Sequence, residues 1–138
     1  MDTLLKHNAK HLGTVAHNEI KTIPVNRSSS QVINLHHSHQ PGSHLVAYVN
    51  KLDSPYIYYF DSYGAPISNL IKNKLRETGK KMIFNTSMIQ SKKSNRCGAY
   101  CYMFIEGMTK GMSYLDFIQL FKNNESLGND EILLSFVL

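Results

Sequence analysis

His44-Leu-Val-Ala-Tyr-Val-Asn-Lys-Leu-Asp-Ser-Pro-Tyr-Ile-Tyr-Tyr-Phe-Asp61 reads as two short strands about a polar turn. Leu45–Val49 and Tyr56–Phe60 are dense in branched and aromatic side chains, which suit a pleated, half-buried surface. If Asn50 pairs with Pro55 across a four-residue loop, opposed residues carry numbers that sum to 105. His44 then stands opposite Asp61 on one face, with Cβ atoms about 4.5–5.5 Å apart. An imidazole and a carboxylate at that separation can share a hydrogen bond. One bulge would turn the two residues to opposite faces.

A second stretch, Gln90-Ser-Lys-Lys-Ser-Asn-Arg-Cys97-Gly98-Ala-Tyr-Cys-Tyr-Met-Phe-Ile105, sets Cys97 at the mouth of an apolar segment expected to be a helix over 97–106, ending near Gly107. A thiol there feels the positive end of the helix dipole, which favours the thiolate. A neutral thiol is a poor nucleophile, so a histidine must activate it, and a third group must fix that histidine's tautomer and charge. His44 and Asp61 suit those roles. The side-chain amide of Gln90 and the backbone N–H of Cys97 are candidate donors to a tetrahedral oxyanion. Cys101, one turn further along, reads as packing; four-residue spacing on a helix is a poor arrangement for a disulfide.

The 138 residues suit one domain, 1–138, with 42% hydrophobic and 18% charged residues. No apolar run approaches the roughly 18 residues needed to span a bilayer, so no membrane partner is expected. The first residues lack the apolar stretch of a signal peptide. With two cysteines, the chain reads as intracellular and reduced. Net charge is +5, and Lys72, Lys74, Arg76, Lys80, Lys81, Lys92, Lys93 and Arg96 crowd into 25 residues. That cluster is either a solvated face or a DNA contact. His36, His37 and His39 lie in a loop without a cysteine or carboxylate at ligand spacing, so no metal is expected.

Elsewhere, residues 1–10 suggest a short helix and 24–30 a loop. Gln31–Leu35 is an apolar run, and His36–Ser43 is a connection containing Pro-Gly. Residues 67–78 put Ile67, Leu70, Ile71 and Leu75 on one helical face, with Gly79 as the stop. Lys81–Asn85 reads as a strand, and Ser113-x-x-Asp116 as a capping box opening a helix with Leu115, Ile118, Leu120 and Phe121. Asn129-Asp-Glu opens a last amphipathic helix. Tyr48, Tyr56, Tyr58 and Tyr59 read chiefly as sheet core, and Ser62 as a local backbone partner. The expected fold is α+β, a small central and mostly antiparallel sheet packed by helices.

Gly42-Ser-His44-Leu-Val-Ala-Tyr-Val, Tyr58-Tyr-Phe-Asp61-Ser-Tyr-Gly64 and Gln90 followed by Cys97-Gly98-Ala-Tyr-Cys resemble the adenovirus protease (adenain-like) family, in the clan that holds the SUMO proteases. The order His, Asp, Gln, Cys matches, and the seven-residue step from Gln90 to Cys97 is the adenovirus type. The resemblance spans about residues 10–110, and the chain's small size suggests virophage and Polinton-type proteases. It implies the fold of those proteases, with Cys97 as nucleophile, His44 as base, Asp61 as orienter and Gln90 as oxyanion donor. It also implies cleavage of virion and capsid precursors, often after small residues such as Gly, within the virion and the host-cell cytoplasm. DNA is implied as a stimulator, with no other cofactor required. Two departures stand out: the family's Trp after the histidine is Leu45 here, and no cysteine matches the one that anchors the family's activating peptide. Two enzyme alternatives are a protease for SUMO or another ubiquitin-like modifier, and acetyl transfer on a similar fold. A third is a basic nucleic-acid-binding module with a vestigial triad.

Overall fold

The computed structural model describes residues 11–35, 44–89 and 97–121. Among them, five strands form one sheet in chain order: β1 (His11–Ala16), β2 (Ser29–Asn34), β3 (Leu45–Asn50), β4 (Tyr56–Phe60) and β5 (Lys81–Phe84). The two central pairings are antiparallel and the outer two are parallel. A parallel pairing needs a crossover. Here a 3-10 turn at His17–Glu19 lies on the first, and helix α1 (Asn69–Arg76) on the second. Helices α2 (Cys97–Thr109) and α3 (Tyr114–Gln119) follow. The architecture is α+β, as expected, but the sheet is mixed rather than mostly antiparallel, because the two crossovers each add a parallel edge strand.

Both faces of the sheet are covered, which is why β3 and β4 read as nearly continuous apolar runs. Alternation sorts their side chains. Ala47, Val49 and Phe60 join Tyr100, Phe104, Ile105 and Phe117 on the α2 and α3 side. Val46, Tyr48, Ile57 and Tyr59 join Ile67, Ile71 and Leu75 on the α1 side. Phe60 stacks on Phe104 and meets Phe117 edge-on, each at 5.2 Å between ring centres. That aromatic cluster pins the end of β4 against α2.

The hairpin register differs from expectation by two residues. Ala47 faces Phe60 and Asn50 faces Ile57, so partner numbers sum to 107. The cause is Asn50, which is fully buried rather than part of the turn. Its Nδ2 donates to the Pro24 carbonyl at 2.8 Å and its Oδ1 accepts from Lys80 Nζ at 2.6 Å, holding it in the strand. A shift of two preserves parity, so every residue keeps its face.

Other boundaries also move. Ser29 and Ser30, expected in a loop, belong to β2. Helix α1 is capped by Ser68, whose Oγ accepts from Ile71 N–H at 3.3 Å; Ile71 and Leu75 are buried, while Leu70 turns outward. Helix α2 does not stop at Gly107 but runs to Thr109, with Gly111 taking the left-handed turn beyond it (φ 99°). Gly107 lies inside the helix, where a Cβ would meet Met112 Sδ at an ordinary contact distance of 3.4 Å. Helix α3 is capped by Ser113 Oγ, which accepts from Asp116 N–H at 3.1 Å. It ends before Leu120, and Leu115 is exposed while Phe117 and Phe121 enter the core. The expected helices at 1–10 and from Asn129, and the His36–Ser43 connection with its histidines, lie outside the described residues. Among the described residues, no helix is long and apolar enough to cross a membrane.

Candidate active site

Three chain segments meet at one end of the sheet: the residue before β3, the residue after β4, and the first residue of α2. They carry His44, Asp61 and Cys97. His44 is anchored through its backbone, its carbonyl accepting from Leu35 N–H at 3.0 Å to extend the β2–β3 ladder. Asp61 is buried and opens a tight turn in which Gly64 N–H donates back to the Asp61 carbonyl at 2.8 Å. That turn demands glycine: Gly64 has φ 66°, and a Cβ would come within 2.7 Å of the Thr86 and Ser87 backbone. The Ser62 carbonyl accepts from Ile89 N–H at 2.7 Å, tying the turn to the segment after β5.

His44 Nε2 and Asp61 Oδ1 are 2.6 Å apart, a short charge-assisted contact. With the observed register the two are diagonal neighbours rather than directly opposed, and shared parity still brings them together. The same Oδ1 accepts from Tyr63 N–H at 2.8 Å. Cys97 Sγ accepts from Leu45 N–H at 3.3 Å, while the Cys101 thiol donates to the Leu45 carbonyl at 3.4 Å. One peptide residue is thus held by two sulfurs a helical turn apart. His44 Nδ1 is buried and makes no hydrogen bond of good geometry. The thiol nevertheless stands near enough for each group to favour the charged form of the other.

The electrostatics follow from that proximity. Burial alone would discharge His44, but its hydrogen bond to Asp61, the Cys97 sulfur and both negative charges outweigh it and raise the imidazole from 6.5 to about 9. Burial likewise opposes a Cys97 thiolate, and is overcome by His44, by Leu45 N–H and by the Gly98 backbone, so the thiol is pulled below its ordinary value. Cys101 goes the other way: fully buried, it is pushed well up. Two cysteines four residues apart therefore differ sharply in character.

Tyr63 was not singled out from the sequence. Its ring stacks on the His44 imidazole at 4.3 Å between centres and 22° between planes. Tyr63 lies in the tight turn after Asp61, beyond the last β3–β4 pairing of Ala47 with Phe60, where no strand register places it. It supplies the aromatic cover that Leu45 cannot. An imidazolium over a phenol face is favoured by the ring's quadrupole. Tyr63→Leu is expected to lower the His44 pKa by about half a unit, read by NMR titration of the ring. An unmoved titration would reduce Tyr63 to packing.

Gln90, Lys92, Lys93 and Arg96 lie outside the described residues. The remaining basic residues do not share one role. Lys72, Lys74 and Arg76 sit on α1, on the opposite face from α2, and Lys74 lies 3.8 Å from Glu77. Lys81 is exposed on β5. Lys80 departs from the expected surface role, because its ammonium donates to Asn50 Oδ1 at 2.6 Å and to the Lys51 carbonyl at 2.7 Å. Lys80→Met is expected to cost about 1–2 kcal/mol in urea unfolding, whereas Lys81→Met stays within about 0.5 kcal/mol. Equal effects would mean that the Lys80 bonds carry no stability.

No protein-family model matches the chain, and no curated protein matches it. Solved structures do. Two crystal structures of ASFV pS273R protease superpose with TM-scores of 0.60 and 0.58 at 22% and 21% identity, each covering 75% of this chain. The Chlamydia abortus effector protein ChlaDUB superposes with a TM-score of 0.56 at 17% identity over 80% of this chain. The matched regions are 42%, 41% and 56% of those proteins, so this chain spans about half their length or less. It shares their fold.

Proposed function

We propose that the protein is a cysteine peptidase in which Cys97 is the nucleophile, His44 the acid and base, and Asp61 the group that orients His44. The observation that carries this reading is the meeting of a lowered thiol, a raised imidazole and a buried carboxylate at one sheet end. With Nε2–H held by Asp61, Nδ1 is the nitrogen left for the thiol proton. The thiolate attacks the scissile carbonyl carbon, and the electron pair moves to oxygen. Collapse of that intermediate expels the amine, which takes the proton from His44 Nδ1 and leaves a thioester on Cys97. Neutral His44 then removes a proton from water, whose oxygen attacks the thioester. The acid product leaves and the thiolate–imidazolium pair is restored.

Cys97 N–H belongs to the first turn of α2, where N–H groups point along the helix axis and favour negative charge. With the Gln90 amide it is the proposed oxyanion donor set. The proposed substrates are virion and capsid precursor proteins cut after small residues such as Gly, in the virion and host cytoplasm. Support comes from the sequence resemblance to viral maturation proteases and from the shared fold with a viral protease. A ubiquitin-like modifier as substrate is the second reading, supported by the fold shared with ChlaDUB. DNA is proposed as a stimulator through Lys72, Lys74, Arg76, Lys81, Lys92 and Lys93.

Incubation of wild type and Cys97→Ala with capsid precursors and with modifier conjugates, followed by mass spectrometry of new termini, tests the reading. New termini after small residues of precursors, absent with the variant, are expected. Cleaved conjugates with intact precursors would favour the second reading. Unchanged activity and no binding on adding DNA at low salt would remove DNA from the scheme.

A further inference from the structure

Asn85 lies one residue beyond the last β4–β5 pairing, Tyr59 with Phe84, and is nearly buried. Its carboxamide grips both backbone polar groups of Asp61. Asp61 N–H donates to Oδ1 at 3.0 Å, and Nδ2 donates to the Asp61 carbonyl at 2.5 Å. The side chain thereby stands in for the backbone partners that β5 would have offered had it continued. The two bonds also fix the amide's orientation, because a flipped amide would set oxygen against carbonyl and N–H against N–H. Tyr114 closes the far side: its hydroxyl donates to the Tyr59 carbonyl at 2.7 Å and lies 3.3 Å from Asn85 Oδ1.

We propose that Asn85, braced by Tyr114, is a positioning residue that holds the Asp61 carboxylate on His44 and so sustains the ionised Cys97–His44 pair. The inference rests on the peptidase reading of the site. Asp61 stands outside the sheet ladder, so nothing in β-pairing sets the rotation of its backbone. Asn85 holds both of its polar groups, where the turn contributes Gly64 N–H on the carbonyl and Tyr63 N–H on the carboxylate, and a turn of that backbone would carry the carboxylate away from Nε2. Among the described residues around Asp61 and Asn85, the titratable groups Tyr59, Cys101 and Tyr114 are all pushed upward and so held neutral, with burial the largest cause.

Alkylation of Cys97 by iodoacetamide across about pH 4 to 10, followed by mass spectrometry, reads the thiolate and needs no peptide substrate. Wild type is expected to react well at about pH 6. Asn85→Ala should react about tenfold more slowly there and recover near pH 10, where the thiol ionises unaided. Tyr114→Phe should shift in the same direction by about threefold. Ile71→Val, in the core cluster on the opposite face, should lower the melting temperature without moving the pH profile. A residue that only fills space would behave like Ile71. If wild type is activated at low pH and Asn85→Ala keeps its profile, the inference is overturned. Should Asn85→Ala fail to fold, an unmoved profile for Tyr114→Phe overturns it. A wild-type Cys97 that alkylates as an ordinary thiol overturns the peptidase reading, and this inference with it.

Discussion

Replacing Cys97 by Ala is expected to abolish peptide hydrolysis and all labelling by a thiol-reactive peptide electrophile, a loss of at least about a thousandfold. The neighbouring thiol offers no substitute. Cys101 is fully buried and its ionisation is pushed well up, whereas Cys97 alone has a partner that stabilises the thiolate. The fold should survive the change, since the side chain lost is small and the Leu45 N–H that donates to it at 3.3 Å lies at the edge of the site. Intact-mass analysis after labelling, beside a melting curve, separates lost chemistry from lost structure. Retained cleavage by a folded Cys97→Ala protein would end the case for this nucleophile.

Asp61→Asn is expected to lower the rate at neutral pH by about 10²- to 10³-fold while keeping nearly the same shape. The sign follows from the causes acting on His44. Burial pulls the imidazole down, and Asp61 and the Cys97 sulfur lift it to about 9. Without the carboxylate charge, burial prevails and the ring is neutral at neutral pH, so the thiolate loses its counter-ion. In wild type the reactive pair is lost as pH rises through about 9 and as it falls below the lowered Cys97 value, both being properties of the coupled pair. The same shift makes charged His44 a stabilising group. Its contribution is complete below the unfolded value of 6.5 and disappears as pH climbs through about 9. A variant with wild-type activity and an unaltered pH profile would remove Asp61 from the mechanism.

The strands were legible because β3 and β4 are buried on both faces, and their composition says so without help from the rest of the fold. The turn length was not. Asn50 looks like a turn residue, and only the Pro24 carbonyl and Lys80 ammonium, distant in sequence, draw it into the strand. The His44–Asp61 pairing survived that error because two is the period of a strand. Gly107 misled in a similar way: glycine signals a helix end locally, but here the helix runs through it to Thr109. Asn85 and Tyr63 left no usable pattern. Their importance depends on where β5 leaves the sheet and how tightly the chain turns after Asp61.

The clasp of Leu45 between Cys97 and Cys101 has a consequence for the newly made chain. Leu45 and the two sulfurs are separated by 52 and 56 residues. Nothing local in the sequence around Cys97 can bring His44 beside it. A polypeptide still emerging or denatured therefore bears a common, sluggish thiol, and aggressive sulfur arises only when the helix seats on the strand. The danger of an unregulated nucleophile is deferred until tertiary assembly is complete, so that alkylation of this one atom serves as a clock for folding.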